Sequence, residues 1–572
     1  MNANEKRPFL SEIYSSIADV TPKKINGKPI DCAKMPANGT YSFKVTYSYP
    51  GDGEATVLPV GFSIKSSSDA LPFDVYKIGN VPVVNPVPNN LKPEYFVSGE
   101  PSLYPDPLFL RDRGSRIEYD DFSQRYFEEG QTYTLNAVRD VQALWVEINP
   151  DGARLAPGKY RLTCVFYDLY RGNALSEMDF EFEVLDKEVP ESGLKCTNWF
   201  YCDALADVYG ETIFSERLFS IIGDFVETAA KHGINMILTP AFTPPLDTRR
   251  GKERKTVQLV RVTKRNGVYS FDFSLFERFV LLCKSKGIRY FEHSHLFTQW
   301  GAGHAPKIVA EVDGETKRIF GWDTDARSAE YADFLRAYIP ALLPVLDRLG
   351  IRDKTFFHVS DEPQAEHLDN YRFAASLLRG IEPSLTTFDA MSNYSFYEGG
   401  TVDIPVVREI SPDLDKFVSG CENFWIYYTG GVIKQGNANR VITLPQARNR
   451  LLGLHLYLSN AKGFLHWGYN YYYDVLTHGI ADPFADPCFY LGSPGTSYVV
   501  YPGRNGKPIP SQRLKVMKEA FDDYALLKTL ENKIGRAAVL GMIEEAVGRV
   551  GCDVAVPGEG LLTIRDRALE LL

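Results

Sequence analysis

Paired cysteines, basic runs and long apolar stretches are all missing from this sequence. Its eight cysteines (Cys32, Cys164, Cys196, Cys202, Cys283, Cys421, Cys488 and Cys552) are scattered over 572 residues and form no CxxC pair. That spacing argues against a disulfide framework or a structural zinc site and leaves buried free thiols as the expectation. No Lys/Arg-rich run occurs and the net charge is −10, so no nucleic-acid footprint is expected. No apolar run approaches the roughly 18 residues of a membrane helix, so no membrane insertion is expected. The first residues lack the basic and apolar regions of a signal peptide, which makes a cytoplasmic location the expectation. Internal repeats and low-complexity tracts are absent. So are a GxSxG elbow, a Cys–His signature around Cys202, a GxxxxGKS/T loop and a strand–GxGxxG–helix context. No nucleotide cofactor or other cofactor is implied, and nothing in the sequence sets an oligomeric state.

What is present is ordinary in hydrophobic (44%) and charged (24%) content but rich in aromatics, at 13% with 33 Tyr and 35 Phe. Most of these rings belong in cores; some can serve as faces for flat apolar ligands such as sugars. The length calls for two or three domains.

Residues 1–188 read as all-β. Tyr41, Phe43, Val45, Tyr47 and Tyr49 alternate with polar residues and stop at Pro50-Gly51. Residues 160–167 follow Pro157-Gly158, and 178–184 alternate again, a pattern that suggests a β-sandwich accessory domain. Residues 187–193 form a polar hinge and a first boundary. Beyond it, strand candidates alternate with amphipathic helices. The strands are placed at 194–203, 234–240, 288–296, 354–360, 385–390, 404–410, 423–428 and 463–469. Helices are placed at 215–232, 274–286, 331–349, 368–380 and 445–458, with a hairpin turn at Asn266-Gly267 and a poorly helical connection after the fifth strand. Eight such units over 194–510 fit a (β/α)8 TIM barrel, and two helices at about 511–532 and 537–550 place a closing C-terminal segment at 511–572. The fold expected is therefore multidomain: sandwich, barrel, C-terminal helices.

Barrel chemistry sits at the carboxyl ends of the strands. There the sequence offers Asp203, Thr239-Pro240, His293 and His295, Asp361-Glu362, Asp389, Arg408-Glu409, Tyr427-Tyr428, and Trp467 with Asn470. Asp361-Glu362 stands out, because a buried-strand run precedes it and Pro363 ends it. Adjacent carboxylates are costly to bury unless used or paired, and like charges push one pKa upward, as a general acid requires. The plain alternative is an exposed acidic loop or a helix N-terminal pair. Adjacency also bears on mechanism. A retaining glycosidase of the usual kind needs two carboxyls roughly 5 Å apart on different strands. Neighbours at one strand end suit substrate assistance instead: one carboxyl protonates the leaving oxygen while the other holds a 2-acetamido group whose carbonyl oxygen attacks the anomeric carbon.

The segment Phe357-His358-Val359-Ser360-Asp361-Glu362-Pro363 resembles the catalytic signature of family 123 glycoside hydrolases, β-N-acetylgalactosaminidases. Residues 198–203, Trp425, 463–470, Tyr501-Pro502-Gly503 and Ser511-Gln512-Arg513 are similar to that family as well. The resemblance implies Glu362 as acid/base and Asp361 as the residue that orients the acetamido nitrogen and stabilises an oxazolinium-like intermediate. It also implies a retaining exo-enzyme without metal, acting on terminal β-GalNAc of glycolipid or glycoprotein glycans. Two stretches depart from the pattern. Residues 493–497 replace an expected Gly-Asp-Gly-like stretch, and 518–524 lack an Arg-Asp-Gly; both bear on the sugar preferred. Rival readings are a hydrolase of β-GlcNAc, a catalytically silent sugar-binding protein and a metal-dependent hydrolase.

The supporting candidates each carry two readings. Trp467, Tyr469 and Asn470 can cradle the acetamido methyl and the sugar or pack the barrel top. Trp425 can line the pocket or sit between strand and helix. Tyr427, on the face of Trp425, can hydrogen-bond the acetamido oxygen. His293 and His295, two apart on one strand face, can bind sugar hydroxyls, act structurally or, with Glu292, His304 and Asp361, hold zinc. Asp389 and Arg408 can touch sugar or brace neighbouring strands, and Asp203 and Trp199 are weaker candidates of the same kind.

Overall fold

The structure is a computed structural model describing residues 9–51, 56–68, 71–88, 91–110, 132–249, 252–431, 433–434 and 436–572. The described residues between Leu10 and Leu185 build two five-stranded sheets. One runs in the order Leu10–Ser15, Tyr41–Ser48, Gln142–Ile148, Phe73–Val83, Ser102–Leu110; the other in the order Cys32–Pro36, Ala174–Leu185, Gly158–Asp168, Val57–Ser66, Thr132–Val138. Apolar residues at alternate positions face a shared core, where Phe43 stacks on Phe180 at 4.5 Å and Tyr47 meets Phe166 at 5.2 Å. The polar alternates of Tyr41–Ser48 do not face water. Ser42, Lys44, Thr46 and Ser48 are all buried, because the outer face of this sheet lies against the C-terminal helices. Lys44 donates to the Ala18 carbonyl at 2.7 Å, and its burial lowers its pKa to about 8.

Beyond residue 194 eight short parallel strands follow: β1 Lys195–Asn198, β2 Met236–Thr239, β3 Tyr290–His293, β4 Thr355–Phe357, β5 Phe388–Ala390, β6 Ile404–Arg408, β7 Trp425–Tyr427 and β8 Gly463–His466. They pair in the order β4-β3-β2-β1-β8-β7-β6-β5. The β4/β5 seam carries a single bridge, Phe357 to Thr387, so the barrel is nearly closed. All eight begin within the expected segments but are shorter. The 194–203 segment leaves the sheet after Asn198 and turns into the helix Cys202–Tyr209, so Asp203 is a first-turn helix residue and not a strand end.

The helices between strands are uneven. Glu216–Lys231, Ser274–Ser285, Ala329–Leu349, Leu368–Ile381 and Gln446–Ser459 match the expected segments; Ser215 and Ser328 cap two of them by accepting from Leu218 and Tyr331. After β5 and β6 only Tyr394–Glu398 and Leu414–Gly420 remain. The Asn266-Gly267 hairpin is present, with both residues at positive φ. A second hairpin, turning at Asp313-Gly314, joins it in a four-stranded sheet. The C-terminal region holds Gln512–Ile534 and Arg536–Val547 as expected, and a third helix, Gly558–Leu571, beyond them.

The sheets and the barrel meet over buried ion pairs. Arg513, at the start of Gln512–Ile534, binds both carboxylate oxygens of Asp106 at 2.8 Å, and Tyr501 donates to the same group at 2.6 Å. Lys515 meets Glu147 at 2.6 Å. Residues 84–88 and 91–97 run from the sheets to the top of the barrel. There Thr443 donates to the Pro86 carbonyl at 2.7 Å, Val97 N–H donates to Thr443 at 2.9 Å, and Phe96 packs with Val441 and Leu444.

Candidate active site

The carboxyl ends of the strands surround a cavity of about 320 Å³. Asp361 and Glu362 enter it from the turn after β4. Asp389, from β5, sets that turn by accepting the N–H groups of Val359 and Ser360 at 3.1 and 3.0 Å. Ser360 donates to the Thr298 carbonyl at 2.8 Å. Glu362 sits at φ 42°, a left-handed conformation that costs a non-glycine residue roughly 1–2 kcal/mol. Its N–H donates to the Ala390 carbonyl at 3.1 Å, which helps to hold the strain.

The two carboxyl groups have different surroundings. Glu362 Oε1 accepts from the Tyr427 hydroxyl at 2.6 Å and lies 3.5 Å from the Arg408 guanidinium. Asp361 is pushed well above the usual carboxylate range, by burial first and by the Glu362 charge second; the nearby His358 pulls the other way.

The wall opposite is aromatic. Trp199, Tyr201, Trp467 and Tyr490 line it, with Trp467 and Tyr490 4.6 Å apart and Tyr201 donating to the Trp467 carbonyl at 2.8 Å. Asp247, from the loop after β2, also reaches the cavity. Its carboxylate is occupied by Tyr471 at 2.5 Å, Tyr490 at 2.9 Å and the Leu476 N–H at 2.8 Å. Three donors on two oxygens make it a clamp for the loops after β8. Trp300 stands at the mouth, 48% exposed and at φ 58°, its N–H bonded to the Asp361 carbonyl at 2.9 Å. Pro88, from the sheet region, contributes a further piece of wall.

Of the residues singled out by sequence, Asp361, Glu362, Tyr427, Trp467 and the weaker candidate Trp199 line one cavity, with Arg408 half-buried beside Glu362. The others lie behind it. His293 and His295 do not share a face, because β3 ends at His293. His293 turns outward to the Tyr338 hydroxyl at 2.7 Å, while His295 lies buried against the His358 ring at 4.1 Å. Asp389 is consumed by His358, Tyr371 and the two backbone N–H groups. Trp425 fills the barrel interior against Phe388, 4.9 Å away, under Tyr427. Tyr469 points away from the cavity and donates to the Phe225 carbonyl at 2.8 Å. Asn470 braces the backbone of Tyr201 through both amide atoms, at 2.9 and 3.1 Å. Asp203 pairs with buried Arg254 at 2.7 Å.

Among the described residues, one group has metal-ligand geometry: His295, His358 and Asp389, with side-chain atoms within 4.8 Å of one another. It does not fit a metal. His358 Nδ1 faces Asp389 at 2.9 Å and Nε2 faces Glu292 at 2.8 Å, so both nitrogens act as donors and neither keeps a lone pair for an ion. His304 and Asp361 lie outside that group.

The sequence over residues 199–530 matches the model of the glycoside hydrolase 123 catalytic domain. The chain belongs to glycoside hydrolase family 123. The matched region runs from Trp199 on the cavity wall into the helix Gln512–Ile534, includes Asp361 and Glu362, and makes the protein a glycosidase. A family 123 glycoside hydrolase from Clostridium perfringens, described in terms of glycolipid glycan hydrolysis, has a similar fold. The TM-score is 0.71 at 14% identity, over 99% of this chain and 97% of that one. A GH10 xylanase with a bacterial Ig-like domain from termite gut aligns at TM-score 0.30 and 11% identity, over 64% of this chain and 86% of that one. A putative β-galactosidase from Bacteroides fragilis aligns at TM-score 0.31 and 9% identity, over 88% and 60%. No curated protein matches the chain. Among the described residues no helix is long and apolar enough to cross a membrane.

The family 123 cavity also uses residues that the sequence did not single out: Tyr201, Asp247, Trp300 and Tyr490. All lie on loops. For Asp247 and Tyr490 the signal was a lone acid or aromatic beside Pro/Gly punctuation, in Phe242 to Asp247 and in Tyr490 to Gly492, where a rigid scaffold presents functional groups.

Proposed function

We propose that this family 123 enzyme is a retaining exo-β-N-acetylgalactosaminidase in which the substrate's own acetamido group is the nucleophile. The observation that carries this reading is that the two adjacent carboxyls of one strand end share a cavity whose other carboxylate, Asp247, already accepts from Tyr471, Tyr490 and the Leu476 N–H. Among the described residues, no further carboxylate on a second strand lines the cavity for a glycosyl–enzyme bond. Glu362, with Tyr427 and Arg408 beside it, gives its proton to the glycosidic oxygen. The acetamido oxygen attacks the anomeric carbon as the alcohol leaves, and Asp361 holds the acetamido N–H of the resulting oxazolinium-like ring. Glu362 then takes a proton from the water that opens the ring, which regenerates the pair and retains the configuration. Trp467 and Tyr427 are placed against the sugar and its acetamide, with Arg408 at the edge. His293, His295, Asp389, Trp425, Tyr469 and Asn470 shape the site from behind.

The subject of the Clostridium perfringens relative supports glycolipid glycans as the substrate class. We divide the chain into an accessory β-sandwich (1–188), a (β/α)8 catalytic barrel with two reduced helices (194–510) and a closing helical segment (511–572).

Hydrolysis of aryl β-GalNAc, aryl β-GlcNAc and aryl β-galactoside, each with and without a GalNAc-thiazoline, tests the proposal. Fast, thiazoline-blocked cleavage of the first is expected. Preference for GlcNAc would reassign the sugar, cleavage of the galactoside would overturn acetamido participation, and tight binding without turnover would mark a binding protein.

A further inference from the structure

Beneath the catalytic turn lies a chain of polar groups that the mechanism above leaves unused. It begins at the cavity wall, where Trp199 donates its indole N–H to Glu292 Oε2 at 2.9 Å and Thr197 bonds the other oxygen. It continues from Glu292 through His358 to Asp389 and ends on the N–H groups of Val359 and Ser360, directly before Asp361. The His358 and Glu292 side chains are wholly shielded from solvent, as is Asp389. A neutral histidine has a single ring donor and would leave one of the two carboxylates facing a lone pair.

We propose that His358 is a positioning residue: a buried cation, shared by Glu292 and Asp389, that ties the Asp361-Glu362 turn to the Trp199 wall and lowers the cost of negative charge on Asp361. The inference rests on the reading of Asp361 as the anion that holds the acetamido N–H. Burial opposes that charge, and so does Glu362; an imidazolium beneath the turn is the opposing influence built into the fold. The His358 ring is itself disfavoured as a cation by burial. The bonds to Asp389 and Glu292 outweigh that and raise its pKa to about 9, so it is charged near neutral pH.

Other groups facing the network do not supply this charge. His293 and His295, from β3 and the residues just past it, are pushed down by burial and by His358, His293 to about 4, and so stay neutral. Tyr371, from the helix after β4, donates to Asp389 at 2.6 Å, and its phenol is raised well above the usual range by burial. On the cavity side, Arg408 and Tyr427 address Glu362.

The test is the pH profile of kcat/KM on an aryl β-GalNAc, whose activated leaving group needs little protonation, so the acid limb reports ionisation at the attack step. His358→Gln removes the cation: Asp361 then ionises only at higher pH, and the acid limb should move up by about one unit, with kcat falling roughly tenfold or more. Asp389→Asn removes an anion that pushes Asp361 upward, while Glu292 still holds the imidazolium; the limb should move down. Opposite shifts support the role. Limbs that stay put, or that move the same way, overturn it, since a merely structural part would not sort by charge. If His358→Gln fails to fold, Asp389→Asn is read alone, with a downward shift supporting the role and any other result overturning it. Thiazoline sensitivity of the unmodified enzyme is measured alongside. Insensitivity would sink the acetamido mechanism itself, whereas sensitivity with unmoved limbs would sink only the role of His358.

Discussion

Asp361 and Glu362 are neighbours in sequence with the same functional group, and the fold gives them unlike surroundings. Glu362 has a phenol and a guanidinium at hand; Asp361 has burial, an imidazolium network beneath it and Trp300 on its carbonyl. The surroundings distinguish the two groups, and the proposed division of labour implies a measurable asymmetry. Glu362→Gln is expected to be mild on aryl glycosides with acidic leaving groups and severe, by about 10² or more in kcat, on natural glycans that need protonation. Asp361→Asn should slow both alike, because it acts at attack; equal, leaving-group-independent losses for both variants would count against the assignment. At this scale the sequence was legible where chemistry is local. A dipeptide of acids between a buried run and Pro363 is visible in one dimension. The roles of His358 and Asp389 are not, because they depend on which strands lie side by side. Asp247 and Tyr490 are 243 residues apart in the chain and meet only in the folded cavity.

Among the elements, the barrel strands are only three to five residues long, so few side chains fill the interior and each has little freedom. Trp425 occupies that interior because β8 begins with Gly463: a Cβ there would sit 2.3 Å from the indole. Gly463→Ala is therefore expected to cost about 1–3 kcal/mol by overpacking, read as a lowered thermal midpoint. Combining it with Trp425→Phe should recover part of the loss, and strict additivity in that double-mutant cycle would show that the two positions do not press on one another. Element order and most helices were readable from periodicity, because caps such as Ser215 and Ser328 and the alternation of 41–49 are local signals. Strand ends were not, because β1 and β3 stop where loops find better partners than the neighbouring strand. The second hairpin had an Asp313-Gly314 turn in plain view, and its strands were lost in a stretch of mixed polarity.

For the molecule as a whole, the hinge at 187–193 was visible, but what lies across it was not. Nothing in the polar alternates such as Lys44 marks the sheet face as covered, and in the structure it is. Asp106 and Arg513 are almost wholly buried and make a bidentate pair across the sheet–barrel boundary. Asp106→Ala would strand a guanidinium in the interior, at an expected cost of about 3–5 kcal/mol. Denaturant unfolding followed by fluorescence and by far-ultraviolet circular dichroism should show it, with both probes moving together. Two separate transitions in the unmodified protein would argue that the regions melt independently.

The residues that carry Pro88 to the cavity have a bearing on ancestry. If a loop of the sheet region furnishes part of the wall that a sugar meets, the two regions cannot be traded between relatives like beads on a string. A crossover at the hinge would pair a barrel with a foreign wall, and only exchanges that move the 84–97 stretch and its Thr443 anchor together would keep the rim intact. Natural chimaeras should therefore break elsewhere, and a laboratory chimaera joined at 187–193 should bind its substrate poorly.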